Sequence, residues 1–185
     1  MDAKDKKKKT LEVKKLESEI RDKLQNLRTR LANGNETEIV VWVIPYKLAC
    51  SQRPLRDHPE FGGSGRPLPL DARPLVIRWV AQIKKMGICS VICLMHSKEL
   101  KYYDGLELNA NGLLGFYKNQ GFQVCHLPWP DPAHEGGLKR QRIEEIKREA
   151  LSAFRGFPKP VLLHCSAAID RTTPVAAFIV QETSE

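Results

Sequence analysis

The stretch Val161-Leu162-Leu163-His164-Cys165-Ser166-Ala167-Ala168-Ile169-Asp170-Arg171-Thr172-Thr173-Pro174 constrains the fold more than any other. Its short apolar start, rich in branched side chains, reads as a buried strand. Small residues follow, and Pro174-Val175-Ala176-Ala177-Phe178-Ile179-Val180 then reads as a helix. Thr172 or Thr173 can cap that helix, and a proline in its first turn removes no hydrogen bond. A strand that turns sharply into a helix aims free backbone N–H groups and the positive end of a helix dipole at one point, where an anion fits. Cys165 opens this loop and Arg171 closes it. A phosphate seated there would meet a nucleophile below it and a planar, two-pronged cation beside it.

His164-Cys165-x5-Arg171-Thr172 resembles the signature of the cysteine-dependent protein phosphatases, the protein tyrosine and dual-specificity enzymes. A second, independent match lies upstream. Leu127-Pro128-Trp129-Pro130-Asp131 contains Trp-Pro-Asp, which is similar to the general-acid loop of that family. Asp131 precedes Cys165 by 34 residues, a separation like that of the small dual-specificity members. A looser similarity runs from about residue 41 to 180. One C-x5-R alone is weak; two motifs in the right order on the right elements are strong.

Roles follow from the chemistry together with the resemblance. Only a thiolate attacks, and loop amides, helix dipole and Arg171 all favour the charged form of Cys165, the expected nucleophile and site of a phosphocysteine intermediate. Arg171 should grip two phosphate oxygens as charge develops, which a lysine could not reproduce. The resemblance gives Thr172 a hydrogen bond to the Cys165 sulfur, although capping alone would explain a threonine there. Asp131 is the expected general acid, then base, despite sitting between two prolines as in an ordinary turn. His164 is expected to orient the loop or tune the thiol. Ser166, Ala167, Ala168, Ile169 and Asp170 are expected to surround the phosphate. His126 and His134 carry no signal.

Along the chain, the first 36 residues form one charged segment, expected to be an appendage to a phosphatase domain at 37–185. Within it Val13, Leu16, Ile20, Leu24, Leu27 and Leu31 recur at helical spacing and end at Asn33-Gly34-Asn35. This helix, over about 10–33, is expected to pack on the domain or to serve a partner or a second copy. Residues 38–44 read as a strand and 46–73 as a long loop whose arginines could flank the phosphate pocket. Helices are expected at about 74–86, 106–120 and 138–154, and strands at 88–95 and 122–127, with 96–103 a turn. Strands alternating with helices imply an α/β fold, a mainly parallel central sheet flanked by helices.

Net charge is +8, but residues 1–36 hold eleven Lys/Arg against seven Asp/Glu, so half of the excess lies outside the expected domain. No basic stripe interleaved with aromatics follows, and nucleic-acid binding is disfavoured. Cys50, Cys89, Cys93, Cys125 and Cys165 show no disulfide framework, and no apolar leader precedes them, which points to a reducing cytoplasmic compartment. The run Lys6-Lys7-Lys8-Lys9 leaves a nuclear address open, although a solvated terminus is the blander reading. No apolar run is long enough to span a membrane. Cys89, Cys93 and His96 do not match a closed zinc site, and no metal or cofactor is expected.

Three features depart from the family pattern. Alanine stands at 168 where the family usually has glycine, and Thr173 replaces a helix-opening glycine. The chain also ends soon after the signature helix, where relatives continue with further helices. Phe178 and Val180 therefore need cover, which the N-terminal helix could supply. The resemblance implies a metal-independent dual-specificity-type phosphatase acting on phosphoprotein Tyr, Ser or Thr, with no upstream phosphotyrosine-recognition motif. The alternatives are a phosphoinositide phosphatase, disfavoured by acidic Asp170 in the loop, an RNA 5′-phosphatase, and a non-catalytic phosphate-binding scaffold.

Overall fold

The computed structural model describes residues 3–132 and 138–184, with 3–9 described by their backbone alone. His134 and the side chains of the Lys6–Lys9 run therefore lie outside the described residues. Five short strands form one sheet: β1 (Val41–Ile44), β2 (Leu48–Ser51), β3 (Ser90–Cys93), β4 (Gln123–His126) and β5 (Val161–His164). Their order is β1-β2-β5-β3-β4, antiparallel between β1 and β2 and parallel elsewhere. Helices cover both faces, as expected.

Registration explains where the functional residues gather. His164 ends β5 opposite Ser51 of β2 and Cys93 of β3, and Cys93 pairs in turn with His126 of β4. Four parallel strands thus end on one line. The segments that follow them, starting at residues 52, 94, 127 and 165, all leave from the same edge of the sheet. That edge, at the carboxyl ends of parallel strands, is where open α/β sheets place their ligand sites.

The strands are buried on both faces, as a helix-covered parallel sheet requires. Ala49, Val91 and Leu162 face one layer, with Val76, Trp79, Val80 and Ile83 of α2 (Arg73–Lys85) and Leu113, Phe116 and Tyr117 of α4 (Gly112–Asn119). Leu48, Cys50, Ile92, Val161 and Leu163 face the other. There they meet Ile146, Leu151 and Phe154 of α5 (Arg140–Gly156) and Val175 and Ile179 of α6 (Thr172–Thr183). Alternation along each strand sorts these side chains to opposite faces.

The N-terminal helix α1 (Ala3–Ala32) is longer than the expected 10–33 at its start and stops at Gly34, whose φ of 76° suits glycine. It lies along α6 and beside β1. Ile20 and Leu24 enter the core layer of α6, whereas Leu27 and Leu31 enter the opposite layer. Each such burial contributes roughly 1.5–3 kcal/mol. The stripe is therefore spent on the domain itself, and Phe178 is half-buried against the same layer.

Two expectations need correction. Residues 46–73 are not one loop, because β2 lies within them; four residues containing Cys50 and Ser51 give too little periodicity to read as a strand. The helix expected from residue 106 begins only at Gly112. A 3-10 segment (Lys101–Leu106) precedes it, Glu107 adopts a left-handed φ of 50°, and Asn109 accepts a hydrogen bond from the Asn111 amide. The turn at 96–103 also contains a short helix α3 (Ser97–Leu100).

Candidate active site

The loop between β5 and α6 is rich in backbone donors with no protein acceptor. Among the described residues, the backbone N–H groups of residues 166–172 donate to no protein acceptor; the first to do so is Thr173, to the Ile169 carbonyl at 3.3 Å. Buried amides are almost always paired. A run of such amides leading into the start of a helix suits an anion. Cys165 is buried at the base of this loop and takes part in no disulfide. Ala168 completes the curl with φ 67°, the left-handed conformation that its Cβ resists, and it is fully buried. Neither threonine caps α6: Arg171 holds the cap position, and the Thr172 and Thr173 hydroxyls are buried without partners. A Thr172 bond to the sulfur is thus not formed.

Arg171 is fixed more firmly than its sequence position foretold. Its Nη1 and Nη2 donate to the two oxygens of Glu99 at 2.5 and 2.7 Å, a two-pronged pair with both side chains buried. Nη1 also donates to the Trp129 carbonyl at 2.8 Å, and Nη2 stands 3.8 Å from Asp131 Oδ2. One guanidinium therefore joins the β5–α6 loop, the floor of the site, to the acid loop. Burial opposes its charge, but Glu99 and the neighbouring Cys165 and Asp131 outweigh this and raise its pKa. Glu99 is held below the usual carboxylate range: desolvation pushes it up, and Arg171 with the His96 amide, which donates to it at 2.7 Å, pulls it further down. Sequence reasoning left Glu99 in a turn. Its only signal was an acidic residue just past a strand end.

His164 is buried and shifted down to about 4 by desolvation. It is thus neutral at neutral pH. The Cys165 carbonyl can only accept, so Nδ1 carries the proton and donates there at 3.2 Å, leaving Nε2 for the Tyr117 hydroxyl at 3.4 Å. That arrangement ties the ring to the loop backbone on one side and to α4 on the other. Cys50, Cys93 and Cys125 are raised by burial and stay thiols. Among the described residues, no group of three or more His, Cys, Asp or Glu side chains is placed to hold a metal.

The opposite wall comes from the segments after β2 and β3. Arg53, 1% exposed, sends its backbone N–H to the Ser166 carbonyl at 2.9 Å and its Nε to the Ser166 hydroxyl at 3.2 Å. Its remaining nitrogens reach the Tyr103 hydroxyl at 3.2 Å and the Gly63 carbonyl at 2.9 Å. Of the arginines in this segment, Arg53 lies behind Ser166 and does not itself line the cleft, while Arg56 shares Asp57 with Arg28 of α1. Between floor and wall lies a cleft of about 330 Å³, bounded by Ser166, Asp131, Glu99, Lys98, Tyr102 and the rim at Ser64 and Gly65. Its size suits a small ligand group. Asp170, the acidic residue of the loop, is paired with Arg21 of α1 at 3.1 Å.

No protein-family model matches the chain, and no curated protein sequence does. No described helix is long and apolar enough to cross a membrane. Among solved structures, the chain is similar to a kinase associated phosphatase whose catalytic-site cysteine was substituted by serine, with a TM-score of 0.50 and 20% identity over 73% of this chain. The match spans 65% of that phosphatase. This likeness, with the sheet order and helix placement above, shows that the protein shares the fold of that phosphatase.

Proposed function

We propose that the protein is a phosphoprotein phosphatase, hydrolysing phosphate esters of tyrosine, serine or threonine through a phosphocysteine intermediate. The observation that carries this is the run of acceptorless amides at residues 166–172 around Cys165. In the first step the Cys165 thiolate attacks phosphorus and the bond to the leaving oxygen breaks, with Asp131 giving that oxygen its proton. In the second, water attacks phosphorus, Asp131 takes the water proton, and the P–S bond breaks to release phosphate and thiolate. The loop amides and Arg171 hold the equatorial oxygens throughout. Glu99 positions Arg171, and His164 positions the loop.

The test is hydrolysis of a simple aryl phosphate by wild type and by Cys165→Ser. Loss of at least about a thousandfold is expected, and equal rates would overturn the reading. Asp131→Asn should lose roughly a hundredfold on alkyl phosphates and much less on an aryl phosphate whose leaving group needs no proton. An equal loss on both would remove Asp131 from the acid role.

A phosphoinositide phosphatase stays as the second reading for one reason. Two features argued against it, the lack of lysines in the signature loop and the acidic Asp170; the exposed pair with Arg21 weakens the second. Turnover of phosphoinositide headgroups above that of phosphopeptides would favour it.

A further inference from the structure

We propose that Arg28 of α1 is a positioning residue for the signature loop, acting through Asp57, so that the N-terminal helix helps to shape the reaction centre. The proposal rests on the phosphatase reading for what that loop does. Arg28 Nε and Nη2 donate to the two oxygens of Asp57 at 2.7 and 3.1 Å, a two-pronged pair with side chains 23% and 10% exposed. The Arg28 pKa is raised, by the bond to Asp57 above all and then, against desolvation, by Cys165 and Asp170. Arg28 thus lies within electrostatic reach of the loop that it is proposed to set.

The link from Asp57 to that loop is a chain of short bonds. The Arg56 amide donates to the Arg53 carbonyl at 3.2 Å, the Gly63 amide to the Arg56 carbonyl at 3.0 Å, and Arg53 Nη2 to the Gly63 carbonyl at 2.9 Å. From this closed unit Arg53 reaches both the carbonyl and the hydroxyl of Ser166, the residue after Cys165. The unit does not hold itself. Leu55 is buried at a φ of 61°, a conformation that persists in a residue with a Cβ only where the surroundings enforce it. Arg56 gives Asp57 a single bond at 3.2 Å, and its Nε is buried without a partner. Arg28 supplies the other two bonds to the Asp57 carboxylate. Two turns earlier on α1, Arg21 meets Asp170 near the far end of the signature loop, but that pair is exposed and contributes little. The hold of α1 on the site therefore falls to Arg28.

The test compares Arg28→Met, Asp57→Asn and the double variant in two readings: kcat/KM for an aryl phosphate, and calorimetric affinity for tungstate, a tetrahedral dianion that needs no chemistry. Each single variant should lose roughly tenfold in both readings, within what a small misplacement costs. The double variant should lose no more than either single, because both changes break one link. If Arg28→Met does not fold, Arg28→Lys, which keeps the charge but not the fork, replaces it with a smaller loss of the same pattern. Leu31→Val, in the core further along α1, should lower stability to urea and leave tungstate affinity unchanged. Unchanged tungstate affinity in the Arg28 variant, losses that multiply in the double variant, or an equal loss in Leu31→Val overturns the proposal. Wild-type turnover with Arg28-independent tungstate affinity sinks this proposal alone. Arg28-dependent affinity without turnover supports it and sinks the phosphatase reading.

Discussion

The floor and the wall of the cleft each contain a buried guanidinium, and they are satisfied in opposite ways. Arg171 on the floor faces a carboxylate on each side, Glu99 at 2.5 Å and Asp131 at 3.8 Å. Arg53 in the wall has a hydroxyl on Ser166, a hydroxyl on Tyr103, a carbonyl on Gly63 and two aromatic faces. The floor holds one charge oriented between two carboxylates. The wall uses a charge as a bracket, tying the segment after β2 to the signature loop and backing Tyr102. A paired ion and a bracketed ion fail differently when one partner is removed.

That difference is measurable by urea unfolding. Arg171→Met strands Glu99 as a buried, unpaired carboxylate and should cost about 3–5 kcal/mol. Arg53→Met leaves only neutral groups unpaired, worth about 1–3 kcal/mol, and also removes an uncompensated buried cation. Equal losses would erase the distinction drawn here. A second probe touches the floor alone. The neutral His164 binds a proton in the folded state only near pH 4, but near 6.5 when unfolded. Between those values the unfolded chain holds more protons, so stability falls as pH drops from about 6.5 toward 4, by up to about 3 kcal/mol. His164→Gln should flatten that stretch of the pH–stability curve; an unchanged slope would assign it to other groups. The smallest effect concerns Ala168. Glycine there relieves a left-handed alanine at φ 67° but loses a buried methyl and adds freedom to the unfolded chain. A net gain of about 0.5 kcal/mol is expected from this balance, and a melting temperature below wild type would contradict it.

The floor was legible in the sequence because it is local. Cys165, Arg171 and the helix that follows lie within one short stretch, and a strand–loop–helix has few ways to fold. Asp131 was legible through a motif. The wall was legible only as arginines somewhere in a long loop, because its members are brought together by sheet order. Glu99, Tyr102 and Arg53 follow β3 and β2, which flank β5 only in the order β1-β2-β5-β3-β4. The strand that carries Arg53 to Ser166 was itself hidden, four residues long inside what reads as a loop. The N-terminal helix shows the same limit. Its stripe was plain, yet only the structure places Ile20 and Leu24 on the layer of α6, and Arg21 beside Asp170.

The central claim is that Cys165 is the atom to which phosphate is transferred. Acid quenching during turnover of an aryl phosphate, followed by peptide mass spectrometry, tests it most directly. The account predicts a phosphoryl group on the peptide containing Cys165, accumulating further in Asp131→Asn because the second step loses its base. Steady turnover with no phosphoryl group on that cysteine at any quench time would contradict it.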